Sequence, residues 1–234
     1  MRDSFALAFD LIVHADAVLL NVVLLSLRVS ASSCLIGGLI GLAVGVWLAV
    51  VRFPGQRGLV ALLNTLLALP SVVVGLLVYL LLSRSGPLGS WGILFTPAAM
   101  VVAQSILVMP ITAALTRQLL VNAFGEGGDT LRSMGAGPML SAALLLLHER
   151  WAVLTLLLIA FGRAISEVGA VMMVGGNIDG VTRVMTTSIA LETSKGDLPL
   201  ALALGLVLLL VVGLINLLIT LAQGGAQQTG AQQS

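Results

Sequence analysis

The chain has 234 residues, 59% of them hydrophobic and 9% charged, with a formal net charge of +1. Soluble domains carry about 25% charged residues, so this chain has too few to solvate a whole surface and reads as an integral membrane protein in a lipid bilayer. The near-neutral balance argues against a nucleic-acid partner, and a single cysteine, Cys34 in an apolar run, excludes a disulfide framework and a thiolate metal site.

Residues 1–16 mix Phe5, Leu7, Phe9, Leu11 and Ile12 with Asp3, Asp10, His14 and Asp16, which predicts a short helix at the membrane interface. Its weak positive start and the lack of a small-residue cleavage site distinguish it from a signal peptide. The first span is expected within 18–51. Positions 29–51 hold no charge, and about 20 apolar residues cross a bilayer. Arg28 sits near one end, where it can snorkel to the interface. Gly37, Gly41 and Gly45 repeat every fourth residue, a pattern that lets two helices approach closely.

The second span is expected at 58–82. Pro70 lies at its middle and should break the helix, because it frees a backbone carbonyl. Such breaks are tolerated in a membrane only under cover of protein or beside water. The third span, 97–116, carries Pro110 as a second expected helix break, with Gln104, Ser105, Thr112 and Thr116 giving it some polar character.

A charged interruption follows at 117–150. Within it Asp129, Thr130 and Leu131 should begin a short separate helix, since Asp is a natural N-terminal residue. Gly135 and Gly137 should end it, and Pro138 forbids its continuation. Two turns of helix, about 10 Å long, need a surface to dock on. Residues 139–147 are apolar but too few to span and are expected to lie along the membrane face.

The fourth span, expected as one helix over 151–174, contains Arg163 and Glu167. Four positions apart, they share a helix face. Neither can face lipid, so this edge must turn toward the protein interior, either as a structural ion pair or as part of a pore or gate. Residues 179–197 should form a charged external loop. The fifth span is expected at 198–222, with Pro199 in its first turn, and 223–234 is a polar, low-complexity tail expected to be disordered. The whole is an all-α polytopic protein: one transmembrane domain over 1–222, with about five spans.

The run DTLRSMGA at 129–136 resembles the coupling loop of bacterial ABC-importer permeases, with Asp129, Thr130 and Leu131 at the places of that family's Glu-Ala-Ala and Gly135 at its Gly. The run GRAISEVGAVMMVGGNI at 162–178 is similar to the corresponding helix of molybdate-type oxyanion permeases, most of all the tungstate branch. NTLLALPSVVVG at 64–75 and SGPLG at 85–89 agree with the same group. The resemblance covers roughly residues 20 to 222. It implies the core of a type I importer permease working as a homodimer, with two copies of an ABC ATPase subunit on the cytoplasmic side and a periplasmic or surface-tethered substrate-binding protein opposite. It implies that Glu126, Asp129, Thr130, Leu131, Arg132, Gly135 and Ala136 couple the chain to the ATPase, and that Arg163, Ser166, Glu167, Met172 and Met173 belong to the translocation path or gate.

The charges alone do not orient the chain. Arg52, Arg57, Arg117, Arg132 and Arg150 fall on one side, and Arg2, Arg28, Arg84, Arg183 and Lys195 on the other. The coupling-loop resemblance places 117–150 in the cytoplasm, hence the N-terminus outside and the C-terminus inside a bacterial inner membrane. There is no Gly-x-x-x-x-Gly-Lys-Ser/Thr loop, no His-Glu-x-x-His and no Gly-x-Ser-x-Gly. The chain is therefore expected to need no cofactor, to be no enzyme, and to draw ATP hydrolysis from a separate subunit. A self-sufficient secondary carrier is disfavoured because five spans show no inverted repeat of equal halves.

Overall fold

A computed structural model describes residues 17–231, with side chains to 221; the interfacial helix expected at 1–16, with His14, lies outside the described residues. Among these the protein is helical. The helices are α1 (Ala17–Val50), α2 (Gln56–Leu67), α3 (Ser71–Leu82), α4 (Pro97–Ser133), α5 (Pro138–His148), α6 (Arg150–Ile165), α7 (Gly169–Gly175), α8 (Met185–Lys195) and α9 (Leu198–Ala231). By length and composition α1, α4 and α9 can each cross a membrane, and the bent pairs α2–α3 and α5–α6 raise the number of spans to as many as five.

The glycine stripe of α1 makes the central contact. A Cβ on Gly37 would lie 2.6 Å from the Ser105 carbonyl oxygen. On Gly41 it would lie 1.7 Å from Thr112 Oγ1, and on Gly45 2.6 Å from the Ala113 carbonyl oxygen. These partners advance along α4 in step with the glycines, so α1 and α4 run parallel in near-contact of backbones, as small-residue faces allow. The register has two consequences. α4 outruns the end of α1 by roughly 20 Å, and at the opposite end α1 outruns the start of α4 by a similar length.

The second span bends by 100° where Ala68–Pro70 separates α2 from α3. Each half has 12 residues, about 18 Å, so neither crosses alone. Pro110 is not a break, contrary to expectation: it is buried inside the unbroken α4. The missing N–H removes one helical bond, and the packing of α1 along both flanking turns holds the helix together across it.

The fourth span is broken, also contrary to expectation. α6 ends at Ile165 and α7 starts at Gly169. α7 packs on α3 and α4, whereas α6 packs on α9, α4 and α1. The external loop expected at 179–197 contains α8, whose Thr186, Thr187, Ser188 and Glu192 are buried, and α8 packs on α9 and α1. α9 continues to Ala231, into the tail expected to be disordered, because a formed helix propagates more readily than it starts.

Candidate functional site

Two regions hold the residues that the sequence singled out. The first is the far end of α4. Asp129 does not begin a short helix there; it lies in the last turns of α4, which runs without interruption through Gly125, Gly127 and Gly128. Tertiary packing carries the helix across these glycines. Leu120, Ala123, Phe124 and Leu131 meet Ala142, Leu145 and Leu146 of α5, and a Cβ on Gly127 would touch Leu145 at an ordinary 3.8 Å. The expected two-turn helix is thus a helical hairpin, α4–α5.

Its tip is a complete C-terminal cap. Gly135 has φ +81°; its N–H donates to the Arg132 carbonyl at 3.0 Å, and the Ala136 N–H donates to the Leu131 carbonyl at 3.0 Å. That bond pair is the Schellman arrangement, which requires a residue in the left-handed region and favours glycine. Gly137 and Pro138 then start α5, with Pro138 in its first turn. Glu126, Asp129, Thr130 and Arg132 are exposed around the tip, while Leu131 is half-buried in the hairpin. Asp129 and Arg132 lie 3.6 Å apart, and both are open to solvent, so the pair contributes little to stability.

The second region is the break between α6 and α7. Arg163 Nη1 donates to Glu167 Oε2 at 2.6 Å. The two do not share one continuous helix, because Glu167 stands in the interruption itself. Its Oε1 accepts the Ala170 N–H at 3.2 Å, so the carboxylate caps α7 while it pairs with Arg163. Ser71, the first residue of α3, lies beside the same carboxylate. A Cβ on Gly169 would come within 2.6 Å of Val72, and one on Gly75 within 2.7 Å of the Ala170 backbone. α3 and α7 therefore start together, side by side, at the depth where the second and fourth spans are both broken.

Three carbonyls around the break take side-chain donors, as a low-dielectric site favours. Gln104 Nε2 donates to the Ala164 carbonyl at 2.9 Å, and Gln104 Oε1 accepts from Ser33 Oγ at 3.0 Å. Thr186 Oγ1 donates to the Glu167 carbonyl at 2.8 Å, and Ser166 Oγ to the Gly162 carbonyl at 2.9 Å. Gln104 was singled out from the sequence as a polar residue of its span; Ser33, Ser71 and Thr186 are the residues that reading the sequence missed as parts of this site. For Ser33 and Ser71 the available signal was a polar side chain inside an apolar span; Thr186, in a segment expected to be a loop, gave none.

The candidate path residues divide. Glu167 is 3% exposed and Arg163 43%. Arg163, Ser166, Val168 and Met172 are open at the surface of the protomer, whereas Met173 packs toward Gly75. A half-exposed guanidinium at membrane depth cannot rest against lipid tails. This surface calls for water or a protein neighbour.

No family model matches the chain. Individual relatives do. It is 42% identical over 220 residues to a tungstate uptake system permease protein, TupB, of Peptoclostridium acidaminophilum, covering 94% of this chain and 96% of that one. A TupB of Campylobacter jejuni is 36% identical, covering 92% of this chain and 90% of the relative. A probable anion ABC transporter permease protein of Haloferax volcanii is 38% identical, covering 86% and 88%. These matches run almost end to end, through both the hairpin and the break, and the chain belongs to the family of ABC-transporter permeases that includes the tungstate uptake permeases.

Proposed function

We propose that this chain is the membrane subunit of an ATP-driven importer that brings tungstate into the cytoplasm. It works as a homodimer, with a separate ATPase subunit seated on each α4–α5 hairpin and a substrate-binding protein on the opposite face. The observation that carries the reading is the near full-length identity to two tungstate uptake permeases. The geometry is in keeping with it. α4 outruns α1 by about 20 Å and ends in a capped, solvent-exposed tip suited to contact with a soluble partner. The exposed side of the break, with Arg163, suits a water-filled path or the second protomer. The sequence carries no nucleotide-binding loop, so the energy of hydrolysis must enter through the partner. The hairpin lies in the cytoplasm in this reading, with the N-terminus outside.

Tungstate is a doubly charged tetrahedral oxyanion and cannot cross an apolar core unaided. Molybdate has the same shape and charge, so a neutral hydroxyl such as that of the exposed Ser166 cannot readily separate the two, and selection falls to the binding protein. Uptake of radiolabelled tungstate in cells with and without the gene, with molybdate and sulfate as competitors, tests the reading. Deletion should abolish tungstate uptake. Unchanged tungstate uptake with loss of another solute would reject the substrate and leave only the importer.

A further inference from the structure

At the end of the bundle opposite the hairpin, a cavity of about 620 Å³ opens between the N-terminal extension of α1 and the turn that follows α7. One wall carries Asn21, Leu25 and Arg28; the other carries Asp179, Gly180 and Arg183. Both walls are built. The N–H groups of Val181, Thr182 and Arg183 all donate to the Ile178 carbonyl, at 3.2, 2.9 and 3.0 Å. Thr182 Oγ1 donates to the Gly175 carbonyl at 2.6 Å and accepts from the Ile178 N–H at 2.9 Å. The Met185 N–H donates to Ser26 Oγ at 2.8 Å, joining the turn to α1.

We propose that Arg28 and Arg183 form a capture site for a tetrahedral oxyanion at the outer mouth, before it enters the path through the membrane. This rests on the importer reading, which puts this end outside. Arg183 is recessed, 15% exposed, and its Nη1 lies 2.9 Å from Oδ1 of Asp179, a side chain 73% exposed. Arg28 is exposed and has no ion pair among the described residues. Two guanidinium groups against one carboxylate leave the cavity net positive, and a concave recess with apolar walls concentrates that field. Arginines offer paired donors that match oxyanion geometry. Cations are usually depleted from the non-cytoplasmic side, and an anion entrance gives these two a reason to be there. The volume admits the anion with part of its water shell, so binding is weak enough to pass the cargo on, as transport demands.

The test uses the purified permease with its ATPase subunit and no binding protein, in equilibrium dialysis against tungstate and then sulfate. The variants are Arg28→Gln with Arg183→Gln, the charge-keeping pair Arg28→Lys with Arg183→Lys, and Arg84→Gln, which removes a cation elsewhere on the same face. The glutamine pair should bind roughly tenfold more weakly than wild type, the lysine pair should fall between the two because it keeps the charge but loses the paired donors, and Arg84→Gln should match wild type. In proteoliposomes with the binding protein, the glutamine pair should raise KM for uptake. Equal binding by wild type and the glutamine pair overturns the site, as does equal loss in Arg84→Gln or in the lysine pair. Loss of binding-protein capture with unchanged anion binding would make the cavity a protein-docking surface instead. A wild-type complex that imports tungstate while the variants bind normally refutes the site alone; one that neither binds nor imports any oxyanion refutes the transport reading, and the site with it.

Discussion

Replacing Arg163 by Met isolates what the ion pair at the break does. In the structure Glu167 is 3% exposed and holds two direct bonds, to Arg163 Nη1 and to the Ala170 N–H. Removing Arg163 leaves a buried carboxylate with the Ala170 N–H and the neighbouring Ser71 but no counter-charge. Losing one partner of a fully buried pair costs about 3–5 kcal/mol. Arg163 is itself 43% exposed, so the pair is partly screened, and about 2 kcal/mol is the better expectation, in the range of a hydrogen bond to a charged group. Glu167→Gln should be milder, about 1 kcal/mol, because the amide oxygen still caps Ala170 and the half-exposed guanidinium can take up water. Adding Glu167→Gln to Arg163→Met should recover about 1 kcal/mol or more of the single mutant's loss, since no lone charge remains and the cap survives. Arg163→Met with Glu167→Leu should recover less, because the cap is gone. Thermal unfolding of the solubilised complex gives this order, and tungstate uptake in proteoliposomes gives function. If Arg163 meets the passing anion, the stable Arg163→Met, Glu167→Gln double mutant assembles and does not transport. Arg163→Met at least as stable as Glu167→Gln would refute the energetic argument, and normal uptake by Arg163→Met would remove Arg163 from the path.

Gly41→Leu should prevent folding, because the first added carbon already falls 1.7 Å from Thr112 Oγ1 and 2.6 Å from the Met109 carbonyl oxygen; the yield of monodisperse membrane protein measures it, and a wild-type yield would contradict the α1–α4 register. Gly135→Val should cost about 1–2 kcal/mol locally by straining φ +81° without steric conflict, since nothing lies within 4 Å of its added carbon. Binding-protein-stimulated ATP hydrolysis should fall in Gly135→Val and in Asp129→Arg while both still insert, and wild-type stimulation in both would detach the hairpin tip from coupling. Gln104→Leu removes the donor to Ala164 and the acceptor for Ser33; it should destabilise by about 1 kcal/mol and slow uptake more than it lowers stability, and unchanged uptake would show that the break needs no anchor from α4.

Much of this protein was legible without a structure because the relevant physics is local or compositional. Too few charges to solvate a surface meant a membrane protein. The spacing of Gly37, Gly41 and Gly45 announced one close helix contact, and Pro70 announced one broken span. The proximity of Arg163 and Glu167 was also legible, although its cause was not. Helix continuity was the quantity that local signals misjudged. Gly125, Gly127, Gly128 and Pro110 all argue for interruption by propensity, yet α4 passes through every one, because α1 and α5 pack along it and their contacts outweigh a local penalty of about 1 kcal/mol per glycine. Conversely, nothing in the run from Ile165 to Gly169 forbids a helix. It opens there because Gln104, Thr186 and the Glu167 side chain satisfy the backbone groups that an unbroken helix would have used, and these partners come from elsewhere in the chain or from a carboxylate folded back on its own neighbour. The sharing of one cavity by Arg28 and Arg183, and the meeting of Ser71 with Glu167, are of the same kind. Residues that distant in sequence are brought together only once the helices have chosen their packing, and that choice minimises exposed polar backbone and unfilled space over the whole bundle.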